Sequence, residues 1–107
     1  MSIEEIKDQY AQKVDGENGI NEDIFIYTLS TCMWCKKCKR YLNERNVKYS
    51  YIDVDKIDSA DKAKILEHLR ANYQERISYP FLTCEKGFIV GYDQKKYEEI
   101  LNQGGAE

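Results

Sequence analysis

Cys32-Met33-Trp34-Cys35 stands where a strand should give way to a helix. A short apolar run, Ile24-Phe25-Ile26-Tyr27-Thr28-Leu29, precedes it, and a basic stretch with helical spacing follows. Two cysteines separated by two residues at such a junction can close a small ring reversibly. The first thiol lies near the first amides of the helix, whose unpaired N–H groups and partial positive charge favour a thiolate. Settings of this kind bring a cysteine pKa from about 8.5 into roughly the 3.5–7.5 range. The thiolate attacks a disulfide, and the second cysteine resolves the mixed disulfide that results. Beside a βαβ pattern, this spacing reads as a redox motif, with half a zinc site or a structural disulfide as the alternatives.

A length of 107 residues allows one domain around one core. With 42% hydrophobic residues, nine tyrosines and one tryptophan, the chain should fold without metal or disulfide staples. No apolar run reaches the roughly 18 residues of a transmembrane helix, so no membrane association is expected. Met1-Ser2-Ile3-Glu4-Glu5 lacks the basic and apolar regions of a signal peptide, so the expected location is cytoplasmic. There the four cysteines should be resting or cycling thiols rather than a disulfide framework. The net charge of -3 hides a basic cluster after the motif: Lys36, Lys37, Lys39, Arg40, Arg45 and Lys48, opposed only by Glu44. Such a surface favours anionic thiols or acidic partners, or is simply a solvated helix face. Nucleic acid is not an expected partner, because the chain is acidic and carries no recognised binding motif.

Ile3, Ile6, Tyr10 and Val14 predict an amphipathic helix over about residues 2–14, packed on the domain as an extension covering 1–22. Asp15 to Gly19 reads as a loop. The domain proper, 23–107, opens with a strand over 23–29. Thr31 is a suitable N-cap for a helix reaching about Arg45, with Cys35, Cys38, Tyr41 and Leu42 inward and Asn46 at its end. Lys48 to Val54 reads as a second strand, and the two strands with their helix form a parallel βαβ unit. A second helix from Asp58 or Ser59 to Tyr73 places Ala63, Leu66, Leu69 and Tyr73 on its apolar side. Pro80 starts the strand Phe81–Cys84. Glu85-Lys86-Gly87 has hairpin-turn character, and Phe88-Ile89-Val90 should return antiparallel. Gly91 ends that strand, Asp93 caps a last helix with Tyr97, Ile100 and Leu101 inward, and 102–107 should fray. The expected architecture is α/β: a four-stranded mixed sheet flanked by helices, plus the N-terminal helix.

From Asp23 to Leu101 this organisation resembles the glutaredoxin branch of the thioredoxin fold. The resemblance rests on the C-x-x-C after the first strand, the lone proline before the third, and Gly91-Tyr92-Asp93 at the start of the final helix. It implies a thiol–disulfide oxidoreductase in which Cys32 is the nucleophile and Cys35 the resolving thiol. It also implies a cis bond before Pro80, leaving the Tyr79 backbone to pair with a thiol substrate. Trp34, Gly91, Tyr92 and Asp93 would complete the substrate-binding surface. The partners would be disulfide-containing proteins and small thiols, with a monomer as the working form. No bound cofactor is implied; electrons would come from glutathione, another low-molecular-weight thiol, or a reductase.

Two positions depart from the family pattern. Leu29 stands where a lysine is common, and Val90 where the first of two glycines is common, which points away from glutathione itself. An iron–sulfur carrier ligating a cluster through Cys32 is the first alternative function. A zinc module built from Cys32, Cys35, Cys38 and Cys84 is the second. Cys38 and Cys84 otherwise read as small core residues, and His68 as a surface residue.

Overall fold

The computed structural model of the chain describes residues 3–14, 24–73, 76–84 and 87–105. The expected loop over Asp15–Gly19, the strand start at Asp23 and the turn at Glu85-Lys86 lie outside them. The helices are α1 (Ile3–Tyr10), α2 (Met33–Glu44), α3 (Ser59–Tyr73) and α4 (Gln94–Gly105). The strands are β1 (Gln12–Val14), β2 (Phe25–Thr28), β3 (Tyr49–Asp53), β4 (Phe81–Cys84) and β5 (Gly87–Val90), and a 3-10 turn covers Val54–Lys56. The sheet order is β1-β3-β2-β4-β5.

Every residue of β2 is buried, as expected of a strand covered on both faces, whose sequence reads as a continuous apolar run. It pairs in parallel with β3 (Phe25 opposite Ser50, Thr28 opposite Asp53) and antiparallel with β4 (Ile26 opposite Leu82). The two-residue period of a strand divides its side chains between the faces. Ile24 and Ile26 join Cys38, Tyr41, Leu42, Val47, Tyr49, Leu82, Ile89 and Tyr97 beneath α2 and α4. Phe25 and Tyr27 join Ile6, Ile52, Val54, Ile65, Leu69 and Phe81 beneath α1 and α3.

α2 buries the stripe expected of it, Cys35, Cys38, Tyr41 and Leu42. It ends as its sequence suggests. Asn46 takes a left-handed φ of 55°, its N–H bonds Asn43 O at 3.0 Å, and the Val47 N–H bonds Leu42 O at 3.1 Å. This is the two-bond C-terminal closure in which the residues flanking the turn also share a hydrophobic contact; Leu42 and Val47 belong to one core cluster.

The N-terminal segment corrects the sequence reading. The helix stops at Tyr10, and Gln12–Val14 forms a fifth strand, antiparallel to β3 (Gln12 opposite Tyr51, Val14 opposite Tyr49). Ile3, Ile6 and Tyr10 pack on one face of the sheet, whereas Val14 packs on the other. A straight helix lying on one face cannot deliver a residue to both, so the chain changes conformation and crosses at the edge of β3.

Helix α3 is also rotated from the expected stripe. Asp61, Ile65 and Leu69 are its buried residues, Leu66 and Tyr73 are half-buried, and Ala63 is exposed. Asp61 is tolerated inside because the Tyr10 hydroxyl donates to its Oδ2 at 2.8 Å, tying α1 to α3. The second expected strand is trimmed at both ends, with Val54 opening the 3-10 turn. The last helix runs on to Gly105, past the expected fraying point, and Tyr97 is buried as expected. The expectation for Ile100 and Leu101 concerns side chains outside those described.

Candidate active site

Strand β2 and helix α2 meet at Cys32, and the cysteine itself, not Thr31, is the N-cap of α2. Its backbone is extended (φ -84°, ψ 119°) and its Sγ accepts a hydrogen bond from the Cys35 N–H at 3.2 Å. An N-cap side chain takes up one of the amides that the first helical turn leaves without partners. Here the capping atom is a sulfur, a weaker acceptor than the usual oxygen. Its neighbours fix the approach: Cys32 N–H bonds Leu29 O at 3.2 Å, and Lys36 N–H bonds Cys32 O at 3.1 Å. The preceding Ser30 is held by Asp55, which accepts from the Ser30 N–H at 2.9 Å and from its hydroxyl at 2.5 Å. Those two bonds lower the Asp55 carboxyl below its ordinary pKa.

Cys32 is half-buried, Cys35 is wholly buried, and both are free thiols. Burial, and after it the contact with the Cys32 side chain, pushes the Cys35 thiol up to about 12. One cysteine therefore faces the surface while the other is held protonated behind it.

The opposite wall is the segment before β4. The Tyr79–Pro80 peptide bond is cis, as the resemblance implied, and Cys32 Sγ lies 3.9 Å from Tyr79 O. Pro80 is buried. Its carbonyl accepts the Gly91 N–H at 2.8 Å, so the segment that precedes β4 is bonded to the one that follows β5. Gly91 has φ +84°, a conformation that L side chains disfavour. Its carbonyl accepts the Tyr97 hydroxyl at 2.8 Å, and the Tyr97 oxygen in turn meets the Cys38 thiol. Cys38 is a core residue, as expected. Asp93 caps α4, accepting the Lys96 N–H at 3.2 Å.

Among the described residues, Trp34 and Met33 are the exposed large apolar ones, at 52% and 66%. Trp34 stacks on Tyr92 with centroids 5.7 Å apart, and Lys37 Nζ lies 4.5 Å from the centroid of the indole ring. Tyr92 meets Tyr97 edge to face at 5.7 Å, and Tyr97 meets Tyr41 at 5.6 Å. An aromatic column thus runs from the rim of the C-x-x-C into the core.

Cys32, Cys35, Trp34, Tyr92, Gly91, Pro80 and Tyr79 are brought together; Asp93 stands at the head of α4 beyond them. Cys84 is half-buried at the end of β4. Among the described residues no group of three or more histidines, cysteines or acids is placed to hold a metal ion. The four-cysteine zinc module is therefore not assembled. His68, half-buried on α3, meets the Asn72 amide and takes no part in the site. The sequence reading missed Asp55 and Tyr97. Asp55 had no local signal, because it reaches Ser30 across 25 positions. Tyr97 was legible as a core residue, but not as the donor to Gly91.

A C-x-x-C capping its own helix, opposite a cis-proline on a mixed sheet, defines a thiol–disulfide oxidoreductase of the thioredoxin-like fold. Comparison with known proteins refines the class. The glutaredoxin family model matches residues 24–80. An uncharacterised glutaredoxin-like 8.6 kDa protein of the rubredoxin operon of Clostridium pasteurianum is 29% identical over 80 residues, covering 75% of this chain and 99% of that protein. The glutaredoxin from Methanosarcina mazei Go1 superposes with a TM-score of 0.71 at 30% identity, over 86% of this chain and 87% of its own. Methanoredoxin from Methanosarcina acetivorans superposes at 0.66 and 29% identity, over 81% and 98%. The chain belongs to the glutaredoxin family.

Proposed function

We propose that this chain reduces protein disulfides, and mixed disulfides between proteins and small thiols, with Cys32 as nucleophile and Cys35 as resolving thiol. The observation that carries the reading is the pairing of a half-exposed Cys32 sulfur, bonded by the Cys35 amide, with a wholly buried Cys35 thiol behind it. Cys32 thiolate attacks one sulfur of the substrate disulfide. A Cys32–substrate disulfide forms and the other substrate sulfur leaves as thiolate. Cys35 then gives up its proton and attacks Cys32 Sγ, closing the Cys32–Cys35 disulfide and releasing the second substrate thiolate. Two electrons have passed from the protein to the substrate. Two equivalents of a small thiol, or a reductase, return them.

In this reading the backbone of Tyr79 and Gly91, the ring of Pro80, and Trp34 with Tyr92 flank the bound sulfur, with Asp93 at the head of α4. The protein works as a cytoplasmic monomer. Leu29 and Val90 are partly buried against the core beneath α1 and α3, so neither offers the cation or the close backbone approach that the family resemblance associates with glutathione. One lost charge-assisted contact is worth roughly 1.5–3 kcal/mol, or about one to two decades in affinity. The reading therefore favours another thiol or a reductase as donor.

The test is a pair of single-cysteine variants incubated with a protein disulfide. Cys35→Ser should accumulate a mixed disulfide at Cys32, detected by mass spectrometry, and lose dithiol turnover. Cys32→Ser should form no such adduct. Undiminished turnover by Cys35→Ser would assign resolution to Cys38 or Cys84 and overturn the mechanism. Running the wild-type assay with glutathione and its reductase beside other donors settles the reductant; saturable turnover at low-millimolar glutathione would refute the preference.

A further inference from the structure

The basic face of α2 extends beyond the thiols. Lys37, Arg40 and Arg45 line a cleft of about 320 Å³ between α2 and the start of α4, with Glu44 as the carboxylate on its lining. Lys37 is fixed over the Trp34 ring. The Arg45 guanidinium lies 3.8 Å over the Tyr41 ring and pairs with Glu98 at 3.7 Å. Arg40 is exposed. Lys39 points elsewhere, to Asp53 at 3.4 Å and the Tyr51 ring at 3.7 Å. Tyr41, which also lines the cleft, has a buried hydroxyl with no hydrogen-bond partner among the described residues. The chain as a whole is at -3, so an acidic partner meets general repulsion and local attraction. That contrast orients an approach rather than merely strengthening it.

The spacing sets the partner's chemistry. At 1.5 Å per helical residue, Lys37 and Arg40 lie about 7.5 and 12 Å along the axis from Cys32. An extended peptide covers roughly 3.3 Å per residue. A partner whose cysteine is joined to Cys32 would bring the side chains two to four residues away over these cations, passing the exposed Met33 and Trp34. Building on the proposed reductase chemistry, we infer that this face docks an acidic polypeptide segment: the favoured substrates carry Asp or Glu two to four residues from the cysteine that Cys32 attacks.

The experiment uses peptides of one length, each a mixed disulfide with a small thiol, carrying two Asp, two Asn or two Lys at these positions on either side of the cysteine. The readout is the ratio of kcat/KM values. Exposed ion pairs are each worth about 1.4- to fivefold, so the two-Asp peptide should exceed the two-Asn peptide by about two- to twenty-fivefold, with two-Lys lowest. The ratio should fall toward one in 1 M salt, where screening acts over about 3 Å. It should also fall in the Lys37→Gln, Arg40→Gln double variant. Equal turnover of Asp and Asn peptides by the wild type would overturn this inference while leaving the reductase reading intact. Turnover of none of them would overturn the reductase reading itself. A preference undiminished in the double variant would place the recognition elsewhere.

Discussion

Tyr97 and Tyr41 face each other in the core and should answer the same substitution in opposite ways. Their rings are 5.6 Å apart and both are at least 96% buried, with 1% and 4% exposed, so changing either to Phe preserves similar packing and removes one oxygen. The Tyr97 hydroxyl donates to Gly91 O at 2.8 Å. Its removal leaves a half-buried carbonyl without this donor, which costs about 1–3 kcal/mol. For a domain of this size, each kcal/mol lowers Tm by roughly 4 °C, so Tyr97→Phe should melt about 4–12 °C below wild type. The Tyr41 hydroxyl is buried with no hydrogen-bond partner among the described residues. Deleting a desolvated, unbonded hydroxyl removes a cost rather than a contact, so Tyr41→Phe should be neutral or up to about 1 kcal/mol more stable. Urea or thermal unfolding of the two variants under identical conditions measures the difference. A Tyr41→Phe protein destabilised as much as Tyr97→Phe would refute the reasoning, because the ring environments, and not the oxygens, would then set the energies.

The buried thiols make stability fall in alkali. Burial raises Cys35 to about 12 and Cys38 to about 11, whereas an unfolded cysteine ionises near 8.5. Above that value the unfolded chain sheds protons that the folded one retains, so stability declines as pH rises toward about 11, by up to about 1.4 kcal/mol per pH unit for each thiol. Chemical denaturation between about pH 8 and 11 should show this decline, shallower in Cys38→Ala; an unchanged slope would exclude Cys38 as a contributor. At the other end of the molecule, Tyr10→Phe removes the donor to Asp61. Amide exchange should quicken across α1 and the first turn of α3 while alkylation of Cys32 keeps its rate, and a uniform change over the whole chain would show that the bond does not act locally.

Much of this was legible in the residues. The run from Ile24 to Thr28, the C-x-x-C, the lone proline and the Asn46 helix end each carry their own local physics, and each stands where expected. What escaped depended on distant partners. Val14 continues the helical spacing of Ile3, Ile6 and Tyr10, so periodicity alone assigned it to that helix; only the open flank of β3 explains why it became a strand. On α3, Leu66 and Ala63 suited an apolar stripe. The actual stripe is turned toward Asp61, whose inward position depends on a tyrosine 51 residues earlier. The N-cap shifted from Thr31 to Cys32 because a threonine is the usual cap and a cysteine an unusual one, so residue preference pointed one place too early. The fold's frame is written locally, whereas the groups that steady the site are brought together by the packing.

The three residues of β1 bear on how the protein avoids self-association. An unpaired strand is a template on which a second chain can add itself, and short, charged outermost strands blunt that tendency. Gln12–Val14 occupies the flank of Tyr49–Tyr51 with an exposed lysine, Lys13, in its middle. A chain starting at Ile24 would keep the thiols, the proline and the capped helix, yet it would present the Tyr49–Tyr51 backbone bare on a sheet whose next strand is wholly buried. With β1 in place, the tyrosine-bearing backbone of β3 is already paired within its own chain rather than open to another copy.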